Sequence, residues 1–493
     1  MQQGTILQYF HWHLPNDGNL WKQIKSEAPR LKELGFSTIW FPPAYKGAKG
    51  SSSEGYDIYD LYDLGEFDQK ATVRTKYGTR QEYMEAIDAV HDAGMHVMVD
   101  IVFNHKAGGD EMEKIKVVKV NPDNRNEVIS DPFEIEAFTK FYFPGREKKY
   151  SAFEWNYMCF TGVDYAADLK EKGIYRILNG YGDSWEEMIS DEKGNYDFLM
   201  CDDIDFRNKA VCEELASWAK WYWHQKKFDA VRLDAVKHIT PHFYVDWLKE
   251  LRAGTDKNLF AVGEYWAPDL NLLLKYIEAT NGEMSLFDAP LHHNFHVASC
   301  EGNKYDMRKI LDETLLKAMP EKAVTLVDNH DTQPLQSLQA PVEAWFKAIA
   351  YSIILLRAEG YPCVFYPDLY GAHYTGKGED DKDHEIWLEK VDEMENLLKA
   401  RNNHAYGIQR DYFDHPNCIG WTREGDGEHS GCAVAISNGD NGNKNMEIGK
   451  RYSGKKFIDM LGKSQEEVEI NSDGWGNFYA PAGSVSVWIE KTG

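Results

Sequence analysis

The chain lacks a disulfide framework. Its seven cysteines (Cys159, Cys201, Cys212, Cys300, Cys363, Cys418 and Cys432) are odd in number and scattered, and no CxxC pair occurs among them. That argues against a disulfide-stapled scaffold and a cysteine zinc site. No run approaches the ~20 apolar residues of a membrane span. The first residues, MQQGTILQYFHWHLPNDG, have neither the basic start nor the apolar core of a signal peptide. Free thiols in a reducing cytoplasm are the expectation, with a secreted mature form left open. No GxGxxG follows a strand-like run, which weakens a dinucleotide-binding reading. There is no EF-hand loop, tandem repeat or low-complexity tract. Positive charge is also short: 55 Lys and Arg stand against 80 Asp and Glu, a net charge of −25. Such a surface repels nucleic acid and anionic membranes, and it suits neutral substrates and cations.

Apolar and aromatic residues are plentiful. Hydrophobic residues make up 43% of the 493 positions, with 15 Trp, 28 Tyr and 23 Phe. A chain of this length exceeds one ordinary core, so two or three domains are expected. Most rings in such a chain are core. An aromatic cleft is the other use, and it suits sugars, whose C–H faces pack on rings.

Strand-like and helix-like segments alternate along most of the chain. Strand candidates lie near residues 5, 36, 95, 229, 259, 284, 323 and 363, and a helix candidate follows each. The later helices are placed at Tyr305 to Ala318, Val342 to Leu356 and near His384 to Ala400. From His105 to about Phe206 the rhythm breaks into polar, turn-rich sequence. This pattern predicts an α/β fold, a (β/α)8 TIM barrel, with an insertion after strand three. An open doubly wound sheet is the alternative. After Arg401 short β-prone runs (IGWTR, CAVAIS, SVSVWI) predict a C-terminal antiparallel β domain, a β-sandwich. The expected division is 1–104 and 207–400 for the barrel, 105–206 for the insertion and 401–493 for the β domain.

Barrel active sites form at the C-terminal ends of the strands. Those ends carry Asn104 and His105, Asp234, Glu264, and His330 with Asp331. In FDAVRLDAVKH, residues 228–238, Arg232 and Asp234 point to one side, about 6.6 Å apart along the strand. Arg232 favours an ionised Asp234, the state a nucleophile needs. Glu264 lies in LFAVGEYW, where apolar neighbours would raise its pKa and make it a general acid. One carboxylate held charged and one held protonated is the arrangement of retaining glycoside hydrolysis. Any one of these could be a barrel-end salt bridge; three carboxylates on three strand ends point to chemistry. Asp229, at the outward start of the strand, has no role in this reading.

DIVFNH (100–105), FDAVRLDAVKH (228–238), VGEYW (262–266) and VDNHD (327–331) together resemble the four signature segments of the α-amylase family of glycoside hydrolases. LMCDDIDF (199–206) resembles a further segment at the end of the inserted domain. GYDIYDLYDLGEFDQK (55–70) extends the likeness. LQYFHW, FPPAYKGA, KYGTRQEY and VFYPDLYGAHY resemble bacterial liquefying-type and cytoplasmic members. The resemblance implies Asp234 as nucleophile, Glu264 as acid/base and Asp331 as transition-state stabiliser. Arg232, His105 and His330 would line the reacting-sugar subsite, with Tyr56 stacking on that sugar and Trp12 packing nearby. Lys237 and His238 would sit on the leaving-group side.

The insertion is rich in acids, among them Asp164, Asp168, Asp183, Glu187, Asp191 and Asp202. Most would be solvated surface. Oxygen ligands without Cys/His spacing point to a hard cation such as Ca²⁺. The resemblance selects Asn104, Asp197, Asp203 and the backbone carbonyl of His238 for one calcium. Asp164, Glu186 and Asp205 match a second metal cluster, but Arg207 stands where that cluster would carry another acid, and a guanidinium could replace the cation. A further site toward the C-terminal domain keeps Asp411 but has Asn438 where an acid is expected. The expectation is therefore a single calcium. The implied function is that of an endo-acting, retaining hydrolase of α-1,4-glucans, a monomer acting on starch, glycogen or maltodextrins. A transglycosylating or maltooligosaccharide-forming enzyme, and a catalytically silent glucan-binding protein, are the alternatives.

Overall fold

The computed structural model describes residues 4–181, 184–255 and 257–491. Eight parallel strands close into a barrel: β1 Ile6–Gln8, β2 Thr38–Phe41, β3 His96–Ile101, β4 Ala230–Leu233, β5 Phe260–Gly263, β6 Ser285–Phe287, β7 Ala323–Leu326 and β8 Tyr361–Phe365. The strands are buried almost throughout, as expected where helices cover a parallel sheet. The closed barrel settles the choice against an open doubly wound sheet.

A helix follows each strand. These are α1 Leu20–Glu33, α2 Arg80–Asp92, α3 Lys209–Gln225, α4 Pro241–Thr255, α5 Leu270–Ala279, α6 Ala289–Glu301, α7 Ala344–Leu356 and α8 Met394–Asn403. Local sequence sets their starts. Thr79 and Glu82 form a reciprocal capping box on α2, and Asn208 and Asp269 cap α3 and α5. Asp288 caps α6 through Leu291 N, and its carboxylate also accepts the N–H groups of Leu315 and Leu316.

Two helix expectations differ from the structure. The segment 305–318 is short turns ending in Leu315–Ala318, and the long helix is α6. Three histidines in α6 blur its apolar stripe, while Asp288 with Pro290 at the start was the available signal. The segment from His384 onward begins as a strand, Asp383–Leu388, paired with Ala372–Lys377 in a hairpin; only Met394–Asn403 is helical. Cross-strand pairing of Tyr374 with Ile386 and of His373 with Trp387 explains that outcome.

The insertion is a seven-stranded antiparallel sheet. Its first strand, His105–Lys106, leaves the end of β3, and its last, Asp202–Ile204, pairs directly with that first strand. The insertion therefore opens and closes at one point on the barrel mouth. Asp183 lies outside the described residues. From Gln409 onward, a six-stranded antiparallel sheet and a two-stranded partner form the C-terminal β structure. All seven cysteines are free. No described helix is long and apolar enough to cross a membrane.

Asp229 acquires a role at the closed end of β4. Its Oδ2 accepts the Val97 N–H at 3.1 Å and lies 2.9 Å from His91 Nε2, while Lys257 Nζ reaches Oδ1 at 3.1 Å. Burial opposes the charge, but these donors outweigh it and lower the pKa from 3.8 to about 2. A depressed carboxylate stabilises the fold above its unfolded pKa and loses that contribution as pH falls through its folded pKa. Asp229→Asn should therefore cost ~2 kcal/mol at neutral pH. The deficit, read from melting temperatures across pH, should shrink as pH falls from 3.8 toward 2. A deficit independent of pH would show that Asp229 acts by packing alone.

Candidate active site

The mouth of the barrel is organised around one cation. Arg232, on β4, is 0% exposed and sits in register with Asp100 of β3. Its Nη1 reaches Asp100 Oδ1 at 2.9 Å and Asp234 Oδ1 at 2.6 Å. Its Nη2 lies 2.7 Å from Glu264 Oε2, an ion pair whose N–H is not aimed along it. Asp234 and Glu264, from neighbouring strand ends, are thus held on the two terminal nitrogens of one guanidinium. The backbone bends sharply here: Ala235 has φ +46°, a left-handed conformation uncommon for a residue with a Cβ. That bend points its N–H at Glu264 Oε2, 3.3 Å away. Gly263 beside it is closely packed: a Cβ there would lie 2.8 Å from Met284 Sδ.

Glu264 and Asp331 are pushed toward the protonated form. Burial raises Glu264 well above its ordinary value, and the charges of Asp331 and Asp234 add to this against the pull of Arg232. Glu264 Oε1 is buried and receives no hydrogen bond from an N–H or hydroxyl group, while the Glu264 and Asp331 carboxyls are hydrogen-bonded to each other. Burial likewise raises Asp331 to about 6, with Asp234 adding to it against Arg232. His330 is buried and held neutral, lowered by desolvation and by Arg232. Gln8 Nε2 donates to its Nδ1 at 3.1 Å, which leaves the Nε2–H facing Asp331 Oδ2 at 3.4 Å.

Three flat rings stand beside these carboxylates. Trp12 and Tyr56 stack at 5.6 Å and 10°, Tyr56 and His330 at 5.0 Å and 17°, and Trp12 and His330 at 6.1 Å and 10°. His105 sits behind them as a support, with Nε2 2.8 Å from the Tyr56 carbonyl, so its N–H is engaged by the backbone. On the other side Lys237 pairs with Glu192 of the insertion. His238 donates from Nδ1 to the Tyr196 carbonyl at 2.6 Å, and burial lowers its pKa to about 3. The insertion thereby forms one wall of the cleft.

Asn104, Asp197 and Asp203 meet where the insertion joins β3. Asn104 Nδ2 donates to Asp203 Oδ1 at 3.0 Å, while Asn104 Oδ1 is buried without a partner. Burial raises Asp203, with help from Asp197, and raises Asp197 to about 7, with help from Asp205. An orphaned amide oxygen beside two buried carboxylates fits a hard, oxygen-liganded cation. No group of three or more His, Cys, Asp or Glu side chains that could hold a metal occurs among the described residues, so the fit needs Asn104 and backbone oxygen. The second cluster is different. Arg207 clasps Asp205 with two bonds of 2.8 Å, beside Glu186, and Asp164 instead accepts the Cys201 N–H at 3.0 Å. Asp411 is likewise clasped by Arg357 at 2.8 and 2.9 Å, and Asn438 donates to the Gly302 and Tyr305 carbonyls.

Asp100, Trp40 and Gln8 belong to the site and were not singled out from sequence. Asp100 accepts from Trp40 Nε1 at 3.0 Å and from the Tyr56 hydroxyl at 2.9 Å. Its signal was a lone acid inside the apolar run MHVMVDIVF.

Comparison with known proteins gives concordant matches. A family profile described as "Alpha amylase, catalytic domain" matches residues 16–444, and one described as "Alpha-amylase C-terminal" matches 432–489. The chain is 47% identical over 490 residues to a protein of Escherichia coli (strain K12) named "Cytoplasmic alpha-amylase", covering 99% of both chains. It is 50% identical over 491 residues to an "Alpha-amylase" of Geobacillus stearothermophilus, covering 99% of this chain and 87% of the relative. The solved structure of an Anoxybacillus α-amylase shares the fold, with a TM-score of 0.63 at 18% identity over 100% of this chain and 99% of the other.

The electrostatics predict how turnover depends on pH. Asp331 raises the pKa of Glu264, so Asp331→Asn should move the alkaline limb of kcat/KM to lower pH. It should also reduce kcat by about 100-fold or more. An alkaline limb that stays in place in the residual activity would show that Glu264 does not set it.

Proposed function

The chain belongs to the α-amylase family of glycoside hydrolases, and we propose that Asp234, Glu264 and Asp331 carry out its endo-acting, retaining hydrolysis of α-1,4-glucosidic bonds. The observation that carries this reading is the single Arg232 guanidinium holding Asp234 and Glu264 together. Asp234 presents a charge-paired carboxylate, while Glu264 is pushed toward its protonated form beside Asp331. Glu264 would give its proton to the glycosidic oxygen as Asp234 bonds to the anomeric carbon and the C–O bond breaks. Glu264 would then take a proton from water, whose oxygen displaces Asp234 and restores the α-configuration. Asp331, within the field of Arg232 and 3.4 Å from His330 Nε2, is placed to bind sugar hydroxyls and favour the oxocarbenium-like transition state. Trp12 and Tyr56 supply the flat surface for the reacting sugar, and Lys237 and His238 the leaving-group side.

The same reading gives one calcium to Asn104, Asp197, Asp203 and the His238 carbonyl. When bound, the ion supplies charge compensation and ties the insertion to the barrel beside the cleft. The second cluster is left to Arg207, which pairs with Asp205. The cytoplasm is the compartment proposed, on the seven unpaired cysteines and the cytoplasmic relative.

Incubation with soluble starch should release shortened glucans whose new ends are α-anomers. Growth of longer chains would favour transglycosylation, and binding without turnover would favour a silent glucan-binding protein. Asp234→Asn should abolish turnover, and activity that survives it would remove the nucleophile assignment. Exhaustive chelation should lower the melting temperature by several degrees, because an ion at about 100 times its Kd stabilises the fold by ~2.7 kcal/mol. Asp203→Asn should melt equally with and without chelator. A wild-type melting temperature unmoved by chelation and by added Ca²⁺ would remove the metal.

A further inference from the structure

The hairpin of Ala372–Lys377 and Asp383–Leu388 follows β8 on the cleft side of the barrel and has two unlike faces. The inner face is fastened to the mouth. Tyr374 is buried, stacks on His13 at 4.2 Å and 13°, and shares its hydroxyl with Gln333 Nε2 at 3.0 Å. Gln333 in turn accepts the Trp12 N–H at 3.1 Å, so the hairpin is tied to the residue that stands over the reacting-sugar rings.

The outer face is solvent-exposed. Register places His373, Thr375 and Lys377 opposite Trp387, Glu385 and Asp383. Trp387 is 68% exposed, the highest value among the large apolar residues described as exposed. His373 covers one side of the indole, with ring centroids 3.6 Å apart and planes at 14°. His373 is itself oriented by Glu385, at 2.8 Å from Nε2. The indole is therefore held flat, and its second side faces water.

A cross-strand ring pair contributes to hairpin stability, by about 0.2–1 kcal/mol. That accounts for the covered side of Trp387 and leaves the open side unexplained. An open indole, flanked on its face of the hairpin by Thr375 and Glu385 with Lys377 and Asp383 further along, offers a C–H-binding platform with hydroxyl-binding groups on one side. Little side-chain entropy remains to be lost there on binding. The net charge of −25 disfavours nucleic acid and anionic lipid as occupants. We propose that Trp387 and His373 form a second α-glucan-binding site, outside the cleft, which holds a distant part of a polymeric substrate. This rests on the α-glucan reading of the active site.

The test separates the two. Glu264→Gln protein, which should not digest the matrix, is run through gels containing glycogen, beside the same protein carrying Trp387→Ala or Trp387→Phe. Trp387→Ala should weaken retardation about fivefold or more, with Trp387→Phe in between. With Glu264 intact, Trp387→Ala should keep kcat/KM on maltoheptaose within about twofold of wild type and lose about fivefold on glycogen. Equal retardation of all three proteins, or an equal loss on both substrates, would overturn the proposal. Wild type that cleaves neither substrate would overturn the hydrolase reading instead, and the gels would still decide on the platform.

Discussion

One buried guanidinium faces more negative charge than it can balance. Arg232 contacts Asp100, Asp234 and Glu264, and its charge also acts on Asp331. Four carboxyl groups share one cation, two of them nearly or fully buried and Asp234 and Asp331 partly open to solvent. A buried charge without a counter-charge is far more costly than a proton taken up from solution. The excess is therefore relieved by protonation, and burial decides where. Asp100 and Asp331 rise to about 6, and Glu264 well above its ordinary range. A protonated carboxyl next to an ion-paired carboxylate follows from this charge count. Lysine could not substitute, because Asp234 and Glu264 use different nitrogens of one planar fork.

The same logic operates where the insertion meets the barrel. Asp203 reaches Asn104, Asp197 bonds the Glu186 N–H, and Asp205 is clasped by Arg207. Of these carboxylates only Asp205 has a protein cation in direct contact, which is why oxygen ligands for an added cation make physical sense at the other two. The strand pairing of Asp202–Ile204 with His105–Lys106 couples this region to the cleft through the backbone. Tyr196 and Glu192, which hold His238 and Lys237, hang from the same insertion. Order in the insertion and order at Lys237 and His238 are thus one property.

Sequence showed the parts of the site that lie at strand ends. Asp234, Glu264, His330 and Asp331 follow strands whose apolar runs are unmistakable, so their convergence could be inferred from barrel geometry. Asp100 escaped because it lies within its strand, where a lone acid has meaning only once Arg232 is seen beside it in register. The strands of the insertion were also missed. Phe133–Lys140 buries Ile135, Ala137 and Thr139 in strict alternation, but Glu134 and Glu136 on either side of Ile135 read as polar loop. Helix α6 was hidden by its histidines, and the hairpin after β8 by charges on its solvent face. In each case local composition favoured one structure and pairing with a distant segment imposed another.

A mouth built this way needs rigid support, because it holds several locally unfavourable features. Ala235 is in a left-handed conformation, Glu264 Oε1 receives no hydrogen bond from an N–H or hydroxyl group, and two Arg232 nitrogens lack a well-aimed acceptor. The support lies one layer below. Lys347 of α7 reaches Asp328 Oδ2 at 2.8 Å and Asp368 Oδ1 at 2.5 Å, and Tyr351 donates to Asp368 at 2.6 Å. Asp328 in turn accepts the Val342 N–H, and Asn329 accepts from the Asp331 and Thr332 backbones. The strap that carries His330 and Asp331 is thereby fixed at both ends. Both cations are buried and ion-paired with carboxylates, but the partners of Lys347 are themselves held by the Val342 N–H and the Tyr351 hydroxyl, whereas the partners of Arg232 stand at the mouth itself. Arg232 and Lys347 are thus buried cations with opposite assignments. One is fully partnered and holds the strap in place; the other is surrounded by excess acid, and that imbalance is what makes the chemistry available.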